Sequence, residues 1–205
     1  MKKIFILAAI IMAVILIMVF YRSGKPIDVV SEVREGIAKN IEVIDNVETE
    51  NGVMIYSIGE SNTEKNYMYS VDLVKKSLTG YKWLGGGGHV NQDVPITNEF
   101  IFSLQLLNEE QNVNPTLFGV LKDLSIENVN VSTHSELIDA NFYEARDGEM
   151  FYVIPFSSDV ASSDYFQITI TFENNSSITH IISNDDEISR LQEGKAFYLS
   201  KKDFK

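Results

Sequence analysis

The feature that most constrains this chain is a two-residue alternation of apolar and polar side chains, which starts near Val47 and recurs up to Ile182. Its clearest stretch is 166–172, where Phe and Ile occupy every second position. Successive side chains of a strand point to opposite faces of a sheet, so this alternation predicts strands with one buried face. The pattern therefore predicts a mainly β (α+β) fold built from antiparallel sheets, with a sandwich-like C-terminal part.

Turn sequences separate the predicted strands. Asn51-Gly52 and Asp147-Gly148 tolerate the positive φ angles that two-residue hairpin loops require. The polar stretch 173–177 predicts a third hairpin, and the polar residues 108–115, which end in proline, mark the best internal boundary. We therefore expect a first β-rich segment at 47–112 and a second, sandwich-like segment at 113–183.

An apolar run occupies the N-terminus. Residues 4–21 contain no charge, proline or glycine, and as a helix they would be about 27 Å long, at the short end of a membrane span. A cleavable signal peptide has a shorter apolar region and small residues at its exit, whereas 19–22 are bulky or charged. The run therefore favours an uncleaved transmembrane anchor after a cytoplasmic stub at 1–3. Secretion after signal cleavage is the alternative.

The charge of the remaining chain indicates its environment. Three of the 17 basic residues lie in the first 22, so residues 23–205 carry 14 basic and 29 acidic residues, a net charge of −15. Such a surface repels nucleic acid, which we exclude as a partner. Lys and Arg are nearly balanced around the apolar run, but the export-like start and the absence of cysteine favour an extracytoplasmic C-terminal domain on a single-pass anchor.

Two further segments have helical features. Apolar residues recur at helical spacing from Asp28 to Asn40, and Ile41 and Ile44 extend the series, which predicts a juxtamembrane stalk or helix within 22–46. For 184–205 we expect a short helix and a frayed tail. Ser183 or Asn184 would cap this helix, acids fill its first turn, and Gly194 lies past its end.

No catalytic motif emerges from the residues. There is no cysteine, no Gly-x-Ser-x-Gly and no Ser-x-x-Lys. His89, His134 and His180 are far apart and follow no metal-ligand spacing, so we expect no metal site and no cofactor. The absence of these motifs favours a role other than catalysis without deciding it, and a wall-modifying hydrolase that uses two of the 29 acids stays open as an alternative.

One local cluster suggests a ligand site. Glycines let a backbone approach a ligand closely, and an indole offers a stacking face. The glycine run forms a flexible loop or a strand end, and next to two aromatic residues it is a candidate ligand- or glycan-binding site, with a core position for the tryptophan as the competing interpretation. The residues concerned are Tyr81, Trp83, Gly85, Gly86, Gly87 and Gly88.

Short motifs carry a family resemblance. Gly-Val-Met-Ile-Tyr at 52–56, Gly-Tyr-Lys-Trp at 80–83, Phe-Gly-Val at 118–120 and Ile-Glu-Asn-Val at 126–129 resemble a group of uncharacterised membrane-anchored envelope proteins from spore-forming Gram-positive bacteria. The resemblance covers 50–183, and it implies an envelope location without supplying catalytic residues. We therefore expect a membrane-anchored, extracytoplasmic binding or assembly protein, whose partner is another envelope protein or a second copy of the chain.

Overall fold

The computed structural model describes residues 10–14, 24–63, 66–78, 80–90, 101–107, 115–122, 125–156, 160 and 162–204. Most of the predicted anchor at 4–21, and the stub at 1–3, lie outside the described residues, while 10–14 are helical and exposed. Within the described ranges, no helix has the length and apolar character needed to cross a bilayer.

Antiparallel strands dominate the described chain, which confirms the mainly β prediction. The first part contains helix α1 (Pro26–Arg34) and strands β1 (Ala38–Thr49), β2 (Gly52–Ser61), β3 (Tyr67–Ser77), β4 (Gly80–Val90) and β5 (Ile101–Leu107). The middle part contains β6 (Thr116–Leu121), β7 (Ile126–Ser132), β8 (Leu137–Asp139), β9 (Asn141–Glu144) and β10 (Met150–Pro155). The last part contains β11 (Phe166–Phe172), β12 (Ser177–Ile182), helix α2 (Asp185–Gln192) and β13 (Phe197–Ser200).

These strands form three stacked sheets. Sheet A has the strand order β1-β2-β3-β4, sheet B the order β13-β5-β6-β10-β9, and sheet C the order β12-β11-β7-β8. Sheet B is the middle layer, because one of its faces shares a core with sheet C and the other shares a core with sheet A. On β6, for example, Leu117 belongs to the first core and Phe118 to the second.

Burial on both faces explains why β6 does not alternate in sequence. All six of its residues are buried, and they read as a continuous, mostly apolar run. In sheet C only one face is covered, so β11 keeps strict alternation between buried and half-buried residues. The periodicity of each strand therefore reports how many of its faces are covered.

Helix α1 covers the remaining face of sheet A. Val30 is fully buried there against Ile55 and Val74. The helix is shorter than predicted, since it ends at Arg34 and residues 38–46 belong to β1. The helical spacing of the apolar residues was misleading here, because pairing with β2 overrides a weak local preference.

The predicted turns and the short helix are confirmed. Asn51-Gly52 joins β1 to β2, and Asp147 and Gly148, which both have positive φ, join β9 to β10. The stretch 173–177 joins β11 to β12. Asn184 caps α2 by accepting a hydrogen bond of 2.9 Å from the Glu187 backbone N–H.

The structure also connects the two predicted β segments. Strands β5 and β6 pair across the boundary at 108–115, so segments 47–112 and 113–183 share sheet B. The predicted frayed tail is wrong, because β13 pairs with β5 and Phe204 is buried against Phe102 with a ring-centroid distance of 6.1 Å.

Candidate functional site

The residues of the predicted ligand site all lie on β4, an edge strand of sheet A. Of the two conformations expected for the glycine run, a loop or a strand end, the structure shows a strand, because 85–88 are paired with β3. Gly86 has a φ of 149°, and a Cβ there would lie 2.5 Å from the Val71 carbonyl oxygen. A Cβ at Gly87 would lie 2.4 Å from the Leu107 Cδ2 atom. Glycine is therefore needed here for close packing of β4 against its neighbours.

The two aromatic residues of that site face α1. Tyr81 and Trp83 are half-buried and pack against the small core that Val30 forms under the helix. The Trp83 indole N–H donates a hydrogen bond of 2.8 Å to Asp72 Oδ1. The tryptophan thus has a structural role, while a ligand role for Tyr81, Trp83 and 85–88 stays a prediction.

Asp72 is the centre of a buried polar network. It is fully buried, and its Oδ1 lies 2.6 Å from the Arg34 guanidinium of α1. The Ser70 hydroxyl donates to Asp72 Oδ2 at 2.8 Å, and it lies 2.8 Å from the Ser57 hydroxyl. Since Ser70 has one proton, Ser57 donates to Ser70. The network fastens α1 to sheet A.

Sequence reasoning missed this network for a physical reason. Arg34 and Asp72 are 38 residues apart, and neither lies in a local motif. Asp72 alternates with the core residues Val71 and Leu73, so its position on a strand predicted it to be solvent-exposed. Only the docking of α1 turns this polar face into an interior one.

A second polar cluster joins sheets A and B. Glu149 is buried and accepts a hydrogen bond from the Tyr69 phenol, while its other oxygen lies 3.1 Å from Lys122 Nζ. Burial raises the pKa of Tyr69 well above its usual value, and the neighbouring Glu149 raises that pKa further. The tyrosine is therefore a neutral donor. Both buried acids, Asp72 and Glu149, thus neutralise cations within the scaffold.

A surface groove of about 580 Å³ lies between α1 and the start of β1. The acids Asp28, Glu32 and Glu35 line it together with Lys39. An acidic groove of this kind is matched to cations in general, and the residues alone select no particular ligand.

The third polar region is the exposed side of sheet C. On β11, Phe166, Ile168 and Ile170 are fully buried, so the residues between them face outward. Strand pairing aligns these outward residues in three rows. The rows are Leu137, Ser132, Gln167 and Ile181; Asp139, Asn130, Thr169 and Thr179; and Asn128, Thr171 and Ser177. We call these eleven residues the outer face of sheet C.

The outer face of sheet C is chemically uniform. Eight of its residues carry a hydroxyl or a carboxamide, none is basic, and the single acid, Asp139, accepts a hydrogen bond of 2.8 Å from the Asn128 side chain. Its two apolar residues, Leu137 and Ile181, are 67% and 49% exposed and lie on opposite edge strands. On a chain with a net charge of −12, this face is a large area almost without charge.

An aromatic pair borders the first row. The Tyr165 hydroxyl donates a hydrogen bond of 2.6 Å to Gln167 Oε1, which places the phenol beside the outer face. The imidazole of His134 stacks on the Tyr165 ring with a centroid distance of 5.2 Å and an interplanar angle of 26°. His134 Nε2 in turn lies 2.8 Å from Asp164 Oδ1. The outer face thus ends in a platform of two stacked rings.

No family model, curated protein or solved structure matches this chain. The function of the chain is therefore inferred from its residues and their geometry.

Proposed function

We propose that this chain is a membrane-anchored, extracytoplasmic protein of the bacterial cell envelope, and that it binds an envelope component through the outer face of sheet C. The observation that carries the proposal is the composition of that face. A hydroxyl or a carboxamide can both donate and accept hydrogen bonds, and eight such groups are arranged in register across three adjacent strands, β7, β11 and β12. Such an array suits adhesion to an extended polar surface.

The N-terminal region supports the anchoring part of the proposal. The uncharged run ends at Tyr21, and α1 begins at Pro26. The ion pair between Arg34 and Asp72 attaches α1 firmly to sheet A. With the uncharged run as a membrane anchor, α1 and the sheets attached to it would lie close to the bilayer, because few residues separate the run from α1.

The two buried acids do not form a hydrolytic pair. A glycoside hydrolase needs two carboxyl groups that face each other across a substrate cleft. The two acids buried in the described layers, Asp72 and Glu149, instead contact Arg34 and Lys122. Each of these carboxylates therefore compensates the charge of a basic side chain within the fold.

Protease accessibility tests the location. In protoplasts of a Gram-positive host that express the full chain, external protease should digest the domain after Arg22, and the intact chain should stay in the membrane pellet after an alkaline carbonate wash. Protection from the protease, or release of the chain into the medium, would contradict the proposed location.

Envelope binding tests the function. The full chain in detergent micelles should sediment with isolated cell envelopes, and Asn130→Lys, which puts a charge in the middle of the outer face, should abolish most of that binding. Asn46→Lys is the matched control, because Asn46 is an exposed strand residue of sheet A. Equal binding by Asn130→Lys and the wild type would refute a role for this face.

A further inference from the structure

We infer that the component bound by the outer face of sheet C is a neutral polysaccharide, which lies across the four strands with a sugar ring on the Tyr165–His134 pair. The inference rests on the proposed function and names its ligand class. It depends on three properties of the face: its hydrogen-bonding groups, its low charge and its aromatic border.

The hydrogen-bonding groups match those of a sugar polymer. Sugar hydroxyls donate and accept, as do the side chains of Thr, Ser, Asn and Gln. In the central row, Asn130, Thr169 and Thr179 stand side by side, and the hydroxyl oxygens of the two threonines are 3.4 Å apart. Rows repeat about every 7 Å along a strand, and strands are about 4.8 Å apart, so the three rows on three strands offer a lattice of such groups of about 14 Å by 10 Å. This size suits several linked sugars better than one.

The low charge of the face argues against ionic polymers. An anionic polymer would find no Lys or Arg to attract it on this face, and the chain as a whole has a net charge of −12. A cationic polymer would find stronger attraction elsewhere, for example in the groove lined by Asp28, Glu32 and Glu35. The outer face is thus most favourable for a partner that carries no charge itself.

The position of the apolar residues argues against a protein partner. Protein interfaces concentrate apolar and aromatic anchors at their centre and place polar residues at the rim. Here the arrangement is reversed, because Thr169 and Asn130 are central and the exposed Leu137 and Ile181 lie on the edge strands. This order fits a polymer that meets polar groups along its length.

The aromatic border supplies a stacking site. One side of a sugar ring presents C–H groups that pack on an aromatic face, and rigid tyrosines next to adaptable hydroxyl and amide groups are effective in recognition. The hydrogen bond from Tyr165 to Gln167 and the stacked His134 hold the phenol in place. The pair therefore offers a prearranged platform at one end of the lattice.

Co-sedimentation with insoluble polymers tests the inference. The full chain in detergent micelles is mixed with chitin or with cellulose, which are neutral polymers, and the dissociation constant is measured from the sedimented fraction. We expect binding to at least one of them. Tyr165→Ala should weaken it about tenfold, and Thr169→Val, which removes one hydroxyl while keeping the side-chain shape, about fivefold.

A matched pair of isosteric variants separates this face from the rest of the surface. Asn130→Asp should weaken binding to the polymer, whereas Asn46→Asp, the same change on sheet A, should leave it unchanged. The far-ultraviolet circular dichroism of every variant should match that of the wild type. Tyr165→Phe keeps the ring and its stacking on His134 but loses the hydrogen bond to Gln167, so it should bind more tightly than Tyr165→Ala.

Three results would overturn the inference. The first is that the wild-type chain sediments with neither polymer, and the second is that Asn130→Asp and Asn46→Asp lose binding equally. The third is that Asn130→Asp changes the oligomeric state of the chain without changing its sedimentation, which would assign the face to a second copy. A wild-type chain that sediments with isolated envelopes but with neither polymer would overturn the ligand class alone. Failure to sediment with envelopes as well would overturn the proposed function too.

Discussion

Sheets A and C both have a central strand with polar residues at alternate positions, but these side chains meet opposite environments. On β3 of sheet A, Ser70 and Asp72 are fully buried beneath α1. On β11 of sheet C, Thr169 and Thr171 are half-buried and face away from the core. The difference comes from what covers each sheet. Helix α1 covers the outer face of sheet A, whereas sheet C packs only through its inner face, against sheet B. Alternation therefore indicates that two faces exist but does not show whether the polar one is covered.

The two environments have different energetic consequences. A buried polar group that loses its partner keeps its full desolvation cost, while an exposed group can hydrogen-bond to water instead. Polar substitutions should therefore reduce the stability of the fold strongly in sheet A and only slightly in sheet C. Urea unfolding of the full chain in detergent micelles, followed by the fluorescence of Trp83, the single tryptophan, measures the stability of each variant.

The largest effect should come from Asp72→Ala. This change leaves the Arg34 guanidinium buried without its carboxylate and removes the acceptor of the Trp83 indole N–H. Removing one partner of a buried pair should lower the free energy of unfolding by about 3–5 kcal/mol. Asp139→Ala, at an exposed position of sheet C, is the control and should cost less than about 0.5 kcal/mol. Similar losses for the two variants would refute the contrast.

The second effect concerns the glycine next to this network. In Gly86→Ala the new Cβ would lie 2.5 Å from the Val71 carbonyl oxygen and 2.6 Å from Asp72 Oδ1, and the φ of 149° disfavours any side chain. We expect a loss of about 3 kcal/mol from strain and overpacking. Gly36→Ala is a clean control, because no heavy atom lies within 4 Å of its added Cβ. If both variants unfold at the same urea concentration, close packing at β4 is not required.

A smaller effect, dependent on pH, is expected at the C-terminal edge of the molecule. The Ser200 hydroxyl and backbone N–H hold the pKa of Asp203 below its usual value, and Lys202 and His180 add to this. A carboxyl with a lowered pKa stabilises the fold above its unfolded pKa of about 3.9, and this contribution disappears as the pH falls through the folded pKa. Because Asp203 is exposed, Asp203→Asn should cost less than about 1 kcal/mol at pH 7 and nothing near pH 2. An equal cost at both pH values would contradict the electrostatic origin.

Much of the secondary structure could be predicted from local patterns. Asn51-Gly52 and Asp147-Gly148 marked hairpins because positive φ is a property of those residue types. The strict alternation of 166–172 correctly identified β11. Strand β1 was missed because Ile37, Ile41 and Ile44 follow helical spacing, although long-range pairing with β2 places the last two in a strand. Local patterns thus succeed where the cause is local.

The candidate sites depended on information that no local pattern contains. The glycines at 85–88 indicated a loop or a strand end, while their actual role is close packing against β3 and β5. The outer face of sheet C exists only through registers such as Thr169 with Asn130 and Thr179, which join residues from three strands. The alternation of 166–172 predicted a polar side for β11, but not that the assembled side would be almost uncharged.

The smallest effect on stability should come from Thr169→Val at the centre of that face. The valine keeps the β-branched shape that suits a strand, and the lost hydroxyl is half-buried beside Thr179 on the side away from the core. The free energy of unfolding should change by no more than about 0.5 kcal/mol, while polymer binding falls about fivefold, because one hydrogen bond to the ligand is lost. Ser70→Ala on sheet A should do the opposite, since it removes a donor from the buried Asp72 carboxylate and leaves the outer face of sheet C unchanged. If Thr169→Val unfolds as readily as Ser70→Ala, the outer face is part of the scaffold, and its polar rows are retained for stability rather than for binding.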